Sequence, residues 1–202
     1  KGYMHINDSF QFGGDVDVNI SDWLKLPPGF EARPLFTFRF QRLAFLVQDG
    51  EQYDYFPYKN EAIEGDSIRF RQDWYTYMIG MRGSYSAKMG KYMTVKIKGE
   101  ADWGPALGYN IDEHLRRNGR ETYEKSMGNA LYFLAGVDMV IAKTSTIGAG
   151  VDYMFIRTSG SHRWWDATPL NNEYAPIDTS TRDGVNVWSD QLGLTMHASY
   201  AF

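Results

Sequence analysis

The chain has 202 residues, with 16% aromatic residues, no cysteine and a formal net charge of −4. This length is sufficient for one domain with a full core, while the lack of cysteine excludes a disulfide scaffold, a cysteine nucleophile and cysteine-ligated zinc. The slightly acidic balance argues against nucleic-acid binding, which needs a concentrated basic surface, and no apolar run is long enough for a transmembrane helix.

Apolar and polar residues alternate along most of the chain, which is the period of a β-strand with two different faces. The alternation predicts seven strands, in chain order at about 8–23, 33–47, 67–85, 91–104, 120–141, 146–157 and 188–202. The predicted short connections are 25–30, 87–91 and 142–146, and the predicted long loops are 48–66, 105–120 and 158–187. Short and long connections therefore alternate, as they do in outer-membrane barrels.

A soluble β-sandwich would also alternate, but two features favour an antiparallel transmembrane β-barrel. Aromatic rings stand near the strand ends while the opposite faces carry charges suited to a wet lumen; the tryptophans concerned are Trp23, Trp74, Trp103 and Trp188. The chain also ends on LTMHASYAF, which resembles the C-terminal signature that the barrel-assembly machinery recognises through a terminal aromatic, here Phe202. The sequence thus predicts an all-β fold with one outer-membrane barrel domain over residues 1–202.

The predicted number of strands is odd, whereas single-chain bacterial barrels have an even number with both chain ends normally on the periplasmic side. With Phe202 periplasmic, seven strands put Lys1 outside the cell. An uncovered sheet edge is not stable in lipid. We therefore expect the chain to be the C-terminal part of a barrel that lacks its N-terminal strands.

The stretch NIDEH, residues 110–114, contains one of only four histidines in the chain. Asp112 and His114 are two positions apart, so an extended backbone puts both side chains on one face. There a carboxylate can fix the imidazole tautomer and raise its basicity, as general-base chemistry requires. By itself the pattern is more often that of a solvated polar loop than of a catalytic dyad. No histidine pair has metal-ligand spacing with a matching carboxylate, so no metal is expected.

Four stretches, taken together in order and spacing, resemble the omptin family of outer-membrane aspartyl-type proteases of Gram-negative bacteria. They are DVNISDWL (17–24), MIGMRGSY (78–85), NIDEH (110–114) and RETY (120–123). The resemblance runs from about Gly14 to Phe202. It implies a barrel of ten strands in full, about seven of them present here, with an active-site groove facing the extracellular side of the outer membrane.

The resemblance also implies roles for individual residues. His114 would deprotonate a water molecule, Asp112 would orient the imidazole, and an opposing Asp pair, expected on an earlier strand, would position the water. This chain alone would therefore be inactive. Asn110 and Glu113 would contribute to substrate binding. Asn110 stands where the family has an acidic residue that lines the pocket for a basic side chain of the substrate.

The resemblance further implies that activity requires lipopolysaccharide and no other cofactor. Of the basic cluster that holds this lipid in the family only Arg42 remains, and Asp73 stands where a basic residue would be expected. The predicted partners are thus outer-membrane lipid, lipopolysaccharide and an extracellular peptide or protein substrate, with no nucleic acid.

The predicted function is that of an outer-membrane endopeptidase that cleaves peptide bonds near basic residues with a water molecule activated by the His/Asp dyad. The alternative is a barrel without proteolytic activity, an adhesin or surface-binding protein. In that case residues 158–187 would form the recognition surface, with Trp164, Trp165 and Tyr174 in contact with the ligand.

Overall fold

The structure, a computed structural model, describes residues 3–55, 58–115, 120–166 and 177–201. They form one antiparallel sheet in which neighbours along the chain pair, except that β1 and β2 both pair with β3. The strands are β1 (Tyr3–Ile6), β2 (Phe10–Asp17), β3 (Phe30–Tyr55), β4 (Tyr58–Met89), β5 (Met93–His114), β6 (Arg120–Ile141), β7 (Ser145–Asp166) and β8 (Ile177–Tyr200). The predicted all-β antiparallel barrel fold is confirmed. Within the described ranges, no helix is long and apolar enough to cross a membrane.

The first predicted strand is divided into β1 and β2 by a short interruption. Asp8 has a positive φ of 48°, which takes the backbone out of the extended conformation. Beside it, the Ser9 hydroxyl donates to the carbonyl oxygen of Ala44 (3.0 Å) and accepts from the Ala44 amide (2.9 Å). The serine side chain thus stands in for the missing backbone partner. The eight strands consequently occupy seven positions across the sheet.

The three long loops predicted from the sequence are wrong, because the strands continue through most of them. Residues 48–66 lie within β3 and β4, whose register runs to Tyr55 opposite Tyr58 with irregularities beside Gln48. β5 extends to His114, β7 extends to Asp166 and β8 begins at Ile177. Apolar alternation is weak in the sequence of residues 48–66 and 158–187, but the antiparallel ladder is held by backbone hydrogen bonds that need no apolar pattern. Residues 116–119 and 167–176, including Tyr174, lie outside the described residues.

The two ends of the sheet differ. At the turn end, β4 connects to β5 and β6 to β7 through short turns, and in the second of these Ala142 and Lys143 have positive φ values of 51° and 65°. Two successive positive φ values suit a tight hairpin between twisted strands. At the opposite end, the mouth end, β5 finishes at His114 and β6 begins at Arg120.

The outer face carries a belt of exposed apolar side chains. Ile97, Trp103, Phe133 and Leu194 are 59%, 54%, 48% and 82% exposed. Towards the mouth end the belt gives way to charged outer residues, among them Arg71 and Lys125. An apolar outer band with charges beyond it is the surface of a membrane-spanning barrel. Asn110, Asp112 and His114 face inward at the level of those charges, beyond the apolar belt.

The inner face is closed in the middle by a layer of packed side chains. Gln41 of β3 and Gln191 of β8 exchange hydrogen bonds of 3.1 and 2.7 Å between their amides. Because β3 and β8 stand far apart in the sheet order, this pair requires the sheet to curl around an enclosed interior. The middle layer is completed by an apolar cluster consisting of Trp74, Met78, Ala106, Ala130, Tyr132, Met154 and Ile156.

A network of ion pairs lines the interior at the turn end. Arg82 contacts Glu100 (2.6 Å), Asp17 (3.0 Å) and Asp15 (3.1 Å). Lys98 contacts Asp138 at 2.9 Å. Each charge has an opposite partner within 4 Å, which offsets part of the cost of removing it from bulk water.

Gly104 of β5 provides a test of how closely these strands pack. A methyl group on Gly104 would overlap the carbonyl oxygen of Tyr77 and lie 2.7 Å from Met78 Cα. Because backbone atoms cannot rotate away, we expect Gly104→Ala to lower the free energy of unfolding by about 1–3 kcal/mol, measured by urea denaturation in micelles. Gly14→Ala is the control, since its added methyl group meets nothing within 4 Å. Equal stability of the two variants would contradict the packing described here.

Candidate active site

Asp112 and His114 lie on the inner face of β5 at its mouth end. Both follow the inward alternation of β5, in which even-numbered residues from Glu100 to Asn110 are buried. Asp112 stands opposite Thr122 and His114 opposite Arg120 on β6. The sequence prediction that the two side chains share a face is confirmed, although β5 is regular strand here instead of a loop.

Asp112 is half-buried, and one of its carboxylate oxygens, Oδ1, is buried without a hydrogen-bond partner. Burial is the largest cause that raises the pKa of Asp112 above its ordinary value; His114 and Arg120 lower this pKa, whereas Glu124 raises it. The attraction to His114 is the interaction that a general-base dyad needs, because it stabilises a protonated imidazole. The site therefore holds a carboxylate and an imidazole close together in a partly dry environment.

A second group of polar side chains lies next to the dyad, and of its members sequence reasoning had named only Asn110 as a site residue. Gln72, Asn110, Glu124 and His162 stand opposite one another on four adjacent strands and form one transverse row. Asn110 Nδ2 donates to Glu124 Oε2 (2.8 Å), and His162 Nδ1 lies 2.9 Å from Glu124 Oε1. The shared face of Asn110 and Asp112 was visible in the sequence. The pairing of Asn110 with Glu124 depends on the register between β5 and β6, and this register was not visible in the sequence.

The floor beneath this row belongs to the middle layer. Trp74 is 1% exposed, and its ring lies so close to Gly108 that a methyl group there would be 2.7 Å from Trp74 Cζ3. Glycine at 108 therefore allows the indole to lie flat against β5. Ser126, beside Gly108, is buried and accepts a hydrogen bond from Thr158 (2.8 Å). The row therefore lies directly above the middle layer, on its mouth-end side.

Glu113 lies on the other face of β5. Its carboxylate contacts Arg69 Nη1 at 3.0 Å on the outer side of the sheet, as expected for an odd-numbered residue in this strand. The structure thus brings Asn110, Asp112 and His114 together and separates Glu113 from them.

Arg42 also lies on the outer face, where Asp73 holds it. Arg42 donates from Nε and Nη2 to the two carboxylate oxygens of Asp73, each at 2.7 Å, and Arg71 Nε lies 3.7 Å from the same carboxylate. Below this pair is an aromatic wall, in which neighbouring ring centroids lie 4.8 to 6.5 Å apart; its members are Phe10, Phe12, Phe38, Phe40, Tyr75, Tyr77 and Tyr109.

Asp15 and Asp17 are an Asp pair in sequence, but their location excludes them from positioning a water molecule beside His114. Asp15 and Asp17 are ion-paired with Arg82 at the turn end, across the middle layer from His114. Among the residues that the structure describes, no three histidine, aspartate or glutamate side chains are arranged to share a metal ion.

Comparison with known proteins identifies the family. A family model described as the omptin family matches residues 3–178, and no curated protein sequence matches. The chain is similar in fold to the crystal structure of outer membrane protease OmpT from Escherichia coli, with a TM-score of 0.70 and 14% sequence identity. The alignment covers 98% of this chain and 65% of that chain, so this chain spans less than two thirds of its length. Because the family model matches most of the chain, the chain belongs to the omptin family.

Proposed function

We propose that this chain carries the His/Asp dyad of an outer-membrane endopeptidase that cleaves peptide bonds near basic residues. The observation that supports it most directly is the pairing of half-buried Asp112 with His114 on the inner face at the mouth end, beyond the apolar belt. In this proposal the mouth end faces the outside of the cell, where peptide and protein substrates are met.

The dyad has a defined chemistry in this proposal. His114 removes a proton from a water molecule as that water attacks the scissile carbonyl carbon, which gives an imidazolium ion and a tetrahedral intermediate. Asp112 orients the ring and stabilises the imidazolium. The proton then passes from His114 to the leaving amine. Family resemblance assigns the positioning of the water to a further Asp pair, which Asp15 and Asp17 do not supply because they are ion-paired at the turn end.

The proposal includes lipopolysaccharide as a required partner, bound on the outer face near Arg42. A guanidinium suits a phosphate group through its forked donors, and the aromatic wall suits acyl chains. Arg42 is engaged by Asp73, however, so two of its nitrogen donors point at a carboxylate. Recognition of the terminal aromatic, Phe202, by the barrel-assembly machinery stays a prediction, since Phe202 lies outside the described residues.

Asp73→Asn is therefore expected to strengthen lipopolysaccharide binding by roughly threefold to tenfold, because a negative charge is removed and the donors of Arg42 become free for a phosphate. Titration of the refolded protein with lipopolysaccharide measures the change. Asp190→Asn is the control, since Asp190 accepts from Tyr153 (2.6 Å) on the outer face of another part of the sheet. Weaker binding by Asp73→Asn than by the control would remove Arg42 from the proposed site.

The test of the protease itself is a quenched fluorescent peptide with a central pair of arginines. Refolded together with the strands that supply the further Asp pair, the protein in lipopolysaccharide-containing micelles is expected to cleave it, and mass spectrometry should find new termini beside an arginine. A peptide that is bound but stays intact would favour the adhesin alternative over the endopeptidase.

A further inference from the structure

The row next to the dyad contains a carboxylate with a defined orientation and open acceptor capacity. We propose that Glu124, held by Asn110 and His162, is the specificity-determining residue that selects a cationic side chain of the bound peptide. This inference rests on the proposed function, since it describes how the same site chooses its substrate. It assigns the selecting charge to β6, although the sequence had pointed to positions 110 and 113 on β5.

The hydrogen bonds of Glu124 leave room for a ligand. A carboxylate offers about four acceptor sites, and Asn110 Nδ2 and His162 Nδ1 occupy one each. Because the two partners approach different oxygens, both Oε1 and Oε2 retain a lone pair. The carboxylate is thus fixed in position before a ligand arrives, which lowers the conformational entropy lost on binding.

Two further acceptors beside Glu124 require a donor. Asn110 is 5% exposed, and its Oδ1 is buried with no hydrogen-bond partner in the described part of the chain. Asp112 Oδ1 is likewise buried without a hydrogen-bond partner there. Leaving buried polar atoms unpaired costs free energy, so both acceptors favour any donor that substrate binding brings to them. A guanidinium, with five N–H donors and a positive charge, suits the open acceptor sites of the Glu124 carboxylate better than a neutral group does.

The other candidates for the selecting charge fit less well. Asn110 has no charge and uses its amide to orient Glu124. Glu113 contacts Arg69 on the outer face. Asp112 serves His114 in the proposed mechanism. Glu124 stands opposite Asn110, two residues along β6 from the position opposite Asp112, so a side chain bound by Glu124 would lie beside the dyad.

The experiment measures binding without cleavage, in the His114→Ala background. Two dye-labelled peptides are compared by fluorescence anisotropy, one with a central arginine and one with citrulline, the neutral isostere of arginine. The arginine peptide is expected to bind about 10-fold to 100-fold more tightly. Adding Glu124→Gln should reduce this ratio to about one while leaving the affinity for the citrulline peptide unchanged, which also shows that the variant is folded.

Glu121→Gln is the matched control, because it removes a carboxylate from the same strand on the outer face and should leave the arginine preference intact. If Glu124→Gln retains the preference for the arginine peptide, or if Glu121→Gln loses it, the inference about Glu124 is overturned while the proposed function stands. Equal affinity for the two peptides before any change at Glu124 overturns the inference as well. If neither peptide binds, the proposed function and the inference fall together.

Discussion

In the protein refolded with the strands that supply the further Asp pair, replacing His114 with alanine is expected to lower kcat/KM for a basic peptide by roughly 1,000-fold to 10,000-fold. General-base catalysis by a positioned side chain contributes up to about this factor, and an alanine cannot take a proton from water. Because His114 acts on the reacting water and not on the peptide's binding groups, the loss should appear in kcat, with KM changed little. Steady-state cleavage of the quenched arginine peptide measures both constants.

His5→Ala is the control for the His114 result. His5 is an exposed residue of β1, opposite Leu46 on β3, so its loss should leave the rate within about twofold, as is usual for surface substitutions. If His114→Ala cleaves the peptide at the normal rate, the dyad assignment is wrong and another group activates the water.

Asp112→Asn is expected to lower kcat by about 100-fold or more and, at the same time, to stabilise the protein at neutral pH. The catalytic loss follows because a neutral amide does not stabilise the imidazolium of His114. The stability gain follows from the raised pKa of Asp112. A carboxyl whose pKa is higher in the folded than in the unfolded state is harder to ionise when folded, so stability falls as pH rises through the folded pKa.

The pH dependence of this second effect has a definite sign. Asparagine removes the cost of ionising Asp112, so the variant should exceed the original protein in urea midpoint at pH 7. The difference should shrink below the folded pKa of Asp112 and be absent near pH 3, where the carboxyl is protonated in both states. A variant that is less stable than the original at pH 7 would show that hydrogen bonds to the carboxylate outweigh its burial.

The period-two pattern was sufficient to predict the faces of the strands. Asp112 and His114 were predicted on one face because two residues of extended chain return to the same side, and both point inward. The same rule places Glu113 opposite them, on the outer side with Arg69, whereas its predicted role in substrate binding came from resemblance alone. Within a single strand, periodicity therefore predicted correctly to which face of the sheet each side chain points.

Side-chain contacts between strands could not be predicted from the sequence, because they depend on strand register and on where each strand ends. His162 was assigned to a long loop, since SHRWWD is polar and aromatic without clear alternation; in the structure it is part of β7 and stands opposite Glu124. The continuation of β3 and β4 through residues 48–66 was missed for the same reason. The backbone hydrogen bonds of the ladder do not depend on a hydrophobic pattern, and the strands therefore continue past the point where that pattern stops.

The middle layer separates two charged regions that share β5. Glu100 belongs to the ion-pair network and Asn110 to the row beside the dyad, and ten residues of strand put about 33 Å between them. Charges this far apart are several Debye lengths from each other at physiological salt, and side chains without shared partners contribute additively to stability. Substitutions that alter peptide selection at one end can therefore accumulate without compensating changes at the other.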